Sequence, residues 1–211
     1  MKRREFLKGA AIVPATVAAA QWSAVAESFG ARPSRVTAAV YDERYADCRT
    51  FAETLAGQGA VTTFRTSGDA GRVWYGALRA HLARYGGSVA GMTTDCDLGV
   101  SRVCGRELGM RIAYEGSHDG RASDCLKHRL CGGGDANEVY AALLRDDAPW
   151  AESIARVLGR PPLTERIIDA IARVPTVATA PSAGHPGYLT SWLLQPRQWA
   201  SQPGILFAAG G

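Results

Sequence analysis

Short apolar runs alternate with longer amphipathic stretches along most of the chain, and the two spacings predict different elements. Residues 36–41 form a β-branched apolar run read as a strand, and residues 43–57 follow with Tyr45, Cys48, Phe51, Ala52 and Leu55 at helical spacing. The same alternation then repeats. Residues 61–64 read as a strand, 66–71 as a loop, and 73–85 as a helix with Trp74, Leu78, His81 and Leu82 on one face, closed by Gly86-Gly87. Residues 88–92 are a third strand, 95–108 a third helix ended by Gly109, and 110–114 a fourth strand. Three successive strand and helix units predict an α/β fold, mainly a parallel three-layer sheet of the Rossmann-like or flavodoxin-like kind.

After residue 114 the rhythm changes. Asp119-Gly120 lies between two extended segments, so residues 111–130 predict an antiparallel hairpin at or near the sheet edge. Residues 136–159 read as helix with a break at Pro149, and residues 163–174 as a further helix, giving a helical C-terminal third. Pro175, Pro181, Gly184, Pro186 and Gly187 then punctuate a stretch read as a linker. The apolar group Tyr188, Leu189, Trp192, Leu193 and Leu194 beyond it is expected to dock back as a C-terminal arm. The expected organisation is therefore a leader over 1–26, an α/β domain over 35–174, and a linker with arm over 175–211.

The leader has its own pattern. A charged start precedes an uncharged run over 9–20 and a small-residue end, Ala24-Val25-Ala26, which is the layout of a cleavable export signal with cleavage after Ala26. That run is too short to span a membrane comfortably as a helix, which takes about 20 apolar residues. Arg3-Arg4-Glu5-Phe6-Leu7-Lys8 resembles the twin-arginine signal, with Arg3, Arg4, Phe6 and Leu7 at the matching positions and Lys2 where the family has Ser or Thr. The resemblance covers the signal alone. It implies folding in a bacterial cytoplasm, passage through the twin-arginine translocase in the folded state, and a periplasmic destination with no membrane anchor left after cleavage. Such signals also accompany cofactor-bearing proteins and subunits of exported redox complexes, although nothing in the residues assigns a cofactor.

Composition narrows the partners. The 211 residues are 46% hydrophobic and 21% charged, as in globular proteins generally. The net charge of +4 includes +3 from Lys2, Arg3, Arg4 and Lys8 against Glu5, which leaves only +1 on the body. A nearly neutral body with no basic block carries no footprint for nucleic acid.

In a parallel α/β sheet, ligands bind beyond the carboxyl ends of the strands, which selects four loops without any motif. They supply Asp42 and Arg44, then Ser67 and Asp69, then Thr93, Thr94 and Asp95, then Glu115 and His118. This rim suits a small polar ligand such as a polyol or an amine. An enzymatic alternative uses Asp42, Asp69, Asp95 and His118 as acids, bases or metal ligands. A purely structural alternative is equally concrete, since Thr94 followed by Asp97 has the spacing of a helix cap and Asp42 can serve the first helix start. No glycine-rich turn follows the first strand, and G-x-S-x-G, H-E-x-x-H and C-x-x-C are absent, which disfavours dinucleotide, lipase-like, zincin and thioredoxin-like readings.

A second constellation is His118, Cys125, His128 and Cys131. It allows three fates: a soft metal site, free thiols, or a Cys125–Cys131 disulfide, which an oxidising compartment favours. The expected role is accordingly an exported protein that binds a small polar ligand or serves as accessory subunit of a redox complex, with enzyme and metal-binding protein as alternatives.

Overall fold

A computed structural model describes residues 36–121, 125–145, 147–160, 172–173, 175–182 and 184–197. The twin-arginine motif, the expected cleavage site after Ala26 and most of the helix expected over 163–174 lie outside them. Eight strands are described: β1 Val36–Asp42, β2 Thr62–Thr66, β3 Ser88–Thr93, β4 Met110–Asp119, β5 Leu126–Gly132, β6 Ala172–Arg173, β7 Val177–Thr179 and β8 Tyr188–Pro196. Five helices accompany them. These are α1 Ala46–Gly57, α2, α3 Asp95–Glu107, α4 Gly134–Arg145 and α5 Trp150–Leu158, where α2 runs through Ala70–Val73, Trp74–Leu78 with a kink at Gly76, and Arg79–Tyr85.

The strands form one sheet in the order β2-β1-β3-β8-β4-β5-β6, with β7 also paired to β5. The class is α/β, as expected, but the sheet is mixed. Only β2, β1 and β3 pair in parallel; β8 is antiparallel to both β3 and β4, and β5 is antiparallel to β4, β6 and β7. The expected C-terminal arm is therefore the central strand. Leu189, Ser191 and Leu193 point to one face of the sheet and Thr190, Trp192 and Leu194 to the other, and all six are buried. A strand covered on both faces reads as a nearly continuous apolar run, which from sequence alone is indistinguishable from a docking patch.

The hairpin is present as β4 and β5 near the sheet edge, with the short strands β6 and β7 outside it, but residues 120–125 connect its strands in place of a two-residue turn. The Asp119 carboxylate turns locally to Arg121, accepting from its backbone N–H at 3.1 Å and its guanidinium at 2.6 and 2.9 Å. The helix expected over 136–159 divides into α4 and α5 at Pro149. Residues 172–173, expected in the last helix, are strand β6.

Two apolar clusters, one per face, hold the helices to the sheet. α1, α4 and α5 pack on one face through Phe51, Leu55, Val139, Ile154 and Leu158, and α2 and α3 on the other through Trp74, Leu78 and Leu98. The indole of Trp192 lies so close over Gly91 that a Cβ there would stand 2.1 Å from Cζ2. Its Nε1–H donates to Thr93 Oγ1 at 3.1 Å, so this glycine is what lets the central strand carry a tryptophan. No helix among the described residues is long and apolar enough to cross a membrane.

Candidate functional site

Because β8 runs antiparallel to both of its neighbours, β1, β2, β3 and β4 all point the same way, and their ends do gather along one edge. Strand alternation then divides the polar residues of that edge between the two faces. On the α2/α3 face, Asp42 is wholly buried and held by Arg44, whose Nε and Nη2 donate to its two oxygens at 2.9 and 2.6 Å. Thr66 Oγ1 accepts from the backbone N–H groups of Gly68 and Asp69 and donates to Asp97 Oδ2 at 3.2 Å, while Asp97 Oδ1 accepts from the N–H of Ala70. Burial pushes the Asp97 carboxyl up, against the lowering by those donors.

The other rim residues are committed as well. Asp69 caps α2 by accepting from the Arg72 N–H, and Thr94 caps α3 by accepting from the Asp97 N–H. Thr93 holds Trp192, Ser67 donates to Glu43 at 2.5 Å, Glu115 pairs with Arg102 on the surface, and Asp95 stands exposed in the first turn of α3. The strand ends predicted from sequence thus gather along one edge, but apart from exposed Asp95 these rim residues are engaged within the fold.

His118 leaves this group. It shares a face with Tyr114 and Gly116, opposite Glu115 and Ser117, and so points under α5 with no surface exposed. There it belongs to a chain of side chains that the sequence did not reveal. Tyr114 Oη lies 3.0 Å from Ser191 Oγ, which is 2.8 Å from His118 Nε2; His118 Nδ1 is 2.8 Å from His128 Nδ1, and His128 Nε2 is 2.8 Å from Thr179 Oγ1. Gly116 makes room for it, since a Cβ there would stand 2.6 Å from Tyr114 Oη and 2.8 Å from Ser191 Oγ.

The chain has a direction. Tyr114 is fully buried and its hydroxyl meets only Ser191 in this network, so pairing its hydrogen requires it to donate. Ser191 then donates to His118 Nε2, His118 Nδ1–H to His128 Nδ1, and His128 Nε2–H to Thr179. The hydrogen left over is that of Thr179, at the outer end. Burial holds both imidazoles neutral, lowering His128 to about 4 and His118 well below the usual range.

Hydroxyl, imidazole and second imidazole in line is the geometry of an activated nucleophile. Ser191, however, is wholly buried between Tyr114 and His118, which keeps a substrate carbonyl away from it.

Trp150, the first residue of α5, covers the pair, with ring centroids 4.6 Å from His118, 5.3 Å from His128 and 6.1 Å from His185. Its Nε1–H donates to Ser182 Oγ at 3.0 Å. Beside it opens a cleft of about 380 Å³ lined by Asp147, Pro149, Trp150, Ser153, Thr179 and Ser182 together with Leu143, Ala148 and Ala180. Thr179 therefore joins the buried chain to the cleft. Two buried side-chain polar atoms have no partner among the described residues, Ser153 Oγ and His185 Nε2, and both belong to residues grouped around Trp150.

The cysteine constellation does not assemble. Cys125 immediately precedes β5 and Cys131 lies near its end, so six steps along extended chain separate them by about 20 Å, whereas a disulfide needs Cα atoms within about 7 Å. All five cysteines are free thiols. Cys131, three positions from His128 on one strand, projects from the opposite face, and His118 and His128 spend their Nδ1 atoms on each other. No group of three or more potential metal ligands occurs among the described residues.

No sequence signal could have marked Ser153, Thr179 and Ser182 as one wall. The histidine pair was accessible: Tyr114 and His118 on one strand, and Leu126, His128 and Leu130 on the next, share period-two positions and hence a buried face. No known protein family, curated protein or solved structure matches the chain.

Proposed function

We propose that this chain is exported in the folded state by the twin-arginine translocase, is processed after Ala26, and acts in the periplasm by binding a small polar ligand. The twin-arginine-like motif at Arg3 and Arg4 supports the destination. The binding site is the cleft beside Trp150, and the observation that carries it is the hydroxyl of Ser153. That side chain is 1% exposed, lines the cleft and has no partner among the described residues. Leaving a buried hydroxyl unpaired costs about 1–3 kcal/mol, a cost that a ligand at this wall removes. The cleft also has the volume of a small-molecule site.

The parallel unit from β1 to β3 is the part we read as Rossmann-like or flavodoxin-like, and the cleft flanks the same strand-end edge on the α4/α5 side. The enzymatic alternative has less support, because Asp42 and Asp69 are occupied on the far face from His118. The accessory-subunit alternative draws on one observation, the exposure of Tyr75, Val100 and Val103 on the α2/α3 face.

Native mass spectrometry of the processed protein from periplasmic extract tests the binding reading. The expected result is a retained small molecule that is lost in Ser153→Val with the fold intact by circular dichroism. Wild-type protein that carries nothing, and gains no thermal stability from any small polar compound in a screen, would refute it.

A further inference from the structure

The walls of the cleft specify the charge pattern of what it takes. Hydrogen-bond donors crowd its inner side. Ser153 has an unpartnered hydroxyl, Thr179 has the hydrogen left over from the buried chain, and Ser182, which accepts from Trp150, has its own hydrogen to give. The start of α5 faces the same space. Pro149 is its N-cap and caps it with no side chain, and Pro149, Trp150 and Ser153 line the cleft, so the uncapped, positive end of a nine-residue helix borders it. Donors of both kinds call for the oxygens of an anionic group.

The outer side has the opposite character. Asp147 is exposed, and no Lys, Arg or His lines the cleft among the described residues. A bare anion would meet the donors but suffer the Asp147 charge. A bare ammonium would meet Asp147 but confront the helix start and the outward hydrogen of Thr179. A molecule with both groups satisfies both ends at once. Asp147 and Trp150 are three residues apart, a span of at most about 10 Å, so one small molecule reaches both. Leu143, Ala148 and Ala180 leave an apolar patch for the remainder.

We infer that the cleft binds a small zwitterionic α-amino acid, its carboxylate on the first turn of α5 with Ser153, Thr179 and Ser182, and its ammonium on Asp147. This rests on the reading of the cleft as the ligand site and adds the ligand's class.

The test is isothermal titration of the processed protein, freed of retained ligand, with glycine, alanine and leucine as zwitterions. Acetate and methylammonium serve as half-ligands, and glycerol as a neutral polyol. At least one amino acid should bind about tenfold or more tightly than either half. Asp147→Asn should cost that amino acid about tenfold while leaving acetate equal or tighter, and Ser153→Ala should weaken the amino acid and acetate alike, with the fold checked by circular dichroism. Acetate binding as tightly as every amino acid, or an amino-acid affinity unmoved by Asp147→Asn, overturns the zwitterion. Glycerol binding that Ser153→Ala abolishes, with no amino acid bound, also overturns it but keeps the cleft as a ligand site. If none of these probes binds and native mass spectrometry finds nothing retained, cleft and zwitterion fall together.

Discussion

Acid should destabilise this protein well before its carboxylates titrate, and the buried histidine chain sets the size of the effect. His128 binds its proton at about 4 in the fold and near 6.5 once unfolded. Between those values the unfolded chain holds a proton that the native chain refuses, so stability falls as pH falls, by about 1.4 kcal/mol per pH unit and about 3 kcal/mol across the window. His118 is displaced in the same direction and adds to the slope, while half-buried His185 adds less. The structural cause is the polarity of the chain. A proton on His128 makes Nδ1 a donor, which forces neutral His118 to donate from Nε2 to Ser191, so that one buried hydroxyl hydrogen, that of Ser191 or of Tyr114, goes unpaired. Asp97, whose carboxyl is pushed up, opposes the trend only at its acid end. Urea unfolding at pH 7.5, 6.5, 5.5 and 4.5, followed by the buried tryptophans, measures the slope. With m of about 2 kcal/mol/M, His128 alone lowers the midpoint by about 0.7 M per pH unit within that window, and His118 adds to it. His128→Gln should remove about one histidine's share, whatever its effect on stability at pH 7.5. A midpoint that stays level from pH 7.5 to 5, or a slope unchanged in both His128→Gln and His118→Gln, refutes the reasoning.

Other substitutions test the frame around the site. Gly91→Ala should cost about 3 kcal/mol or prevent folding, because its Cβ enters the Trp192 indole; pairing it with Trp192→Phe should recover part of the loss in urea melts. Asp97→Ala should cost about 1 kcal/mol more than Asp97→Asn, since alanine strands the Ala70 N–H and the Thr66 hydroxyl while asparagine keeps an acceptor and sheds the buried charge. Removing residues 188–211 should abolish cooperative thermal unfolding by calorimetry, because β3 and β4 both lose their partner. Under oxidising conditions Cys125 and Cys131 should remain unlinked to each other in non-reducing peptide maps, their separation along β5 being too great to bridge.

Local physics was legible and long-range pairing was not. The units from β1 to α3 stand out in the sequence because each strand or helix announces itself within a dozen residues, through apolar spacing and the glycines after α2 and α3. Thr94 and Asp69 were legible as rim residues for the same reason, and the capping alternative weighed for Thr94 is the role both adopt. What the pattern could not supply was the partner of β8. Leu189 to Leu194 has the composition of any buried segment, and nothing within it specifies insertion between β3 and β4. Missing that insertion had two consequences: it left the sheet reading as mainly parallel, and it hid Ser191, without which His118 looks like an exposed rim residue and not the middle of a buried chain.

The same insertion ties the cleft to completion of the fold. The hydrogen-bond chain takes Tyr114 and His118 from β4, His128 from β5, Thr179 from β7 and Ser191 from β8, and it lies under Trp150 of α5. These positions are separated by up to 77 residues within a single hydrogen bond, so closing the chain waits on long-range pairing. Until β8 is seated, His118 Nε2 has no Ser191, the polarity that turns the Thr179 hydrogen outward is undefined, and the inner wall of the cleft lacks its alignment. The alignment of that inner wall therefore depends on β8, the last described strand, being in place. Export of the already folded chain, the route proposed from Arg3 and Arg4, would deliver that arrangement intact, whereas threading an unfolded chain would require these long-range contacts to form again on the far side.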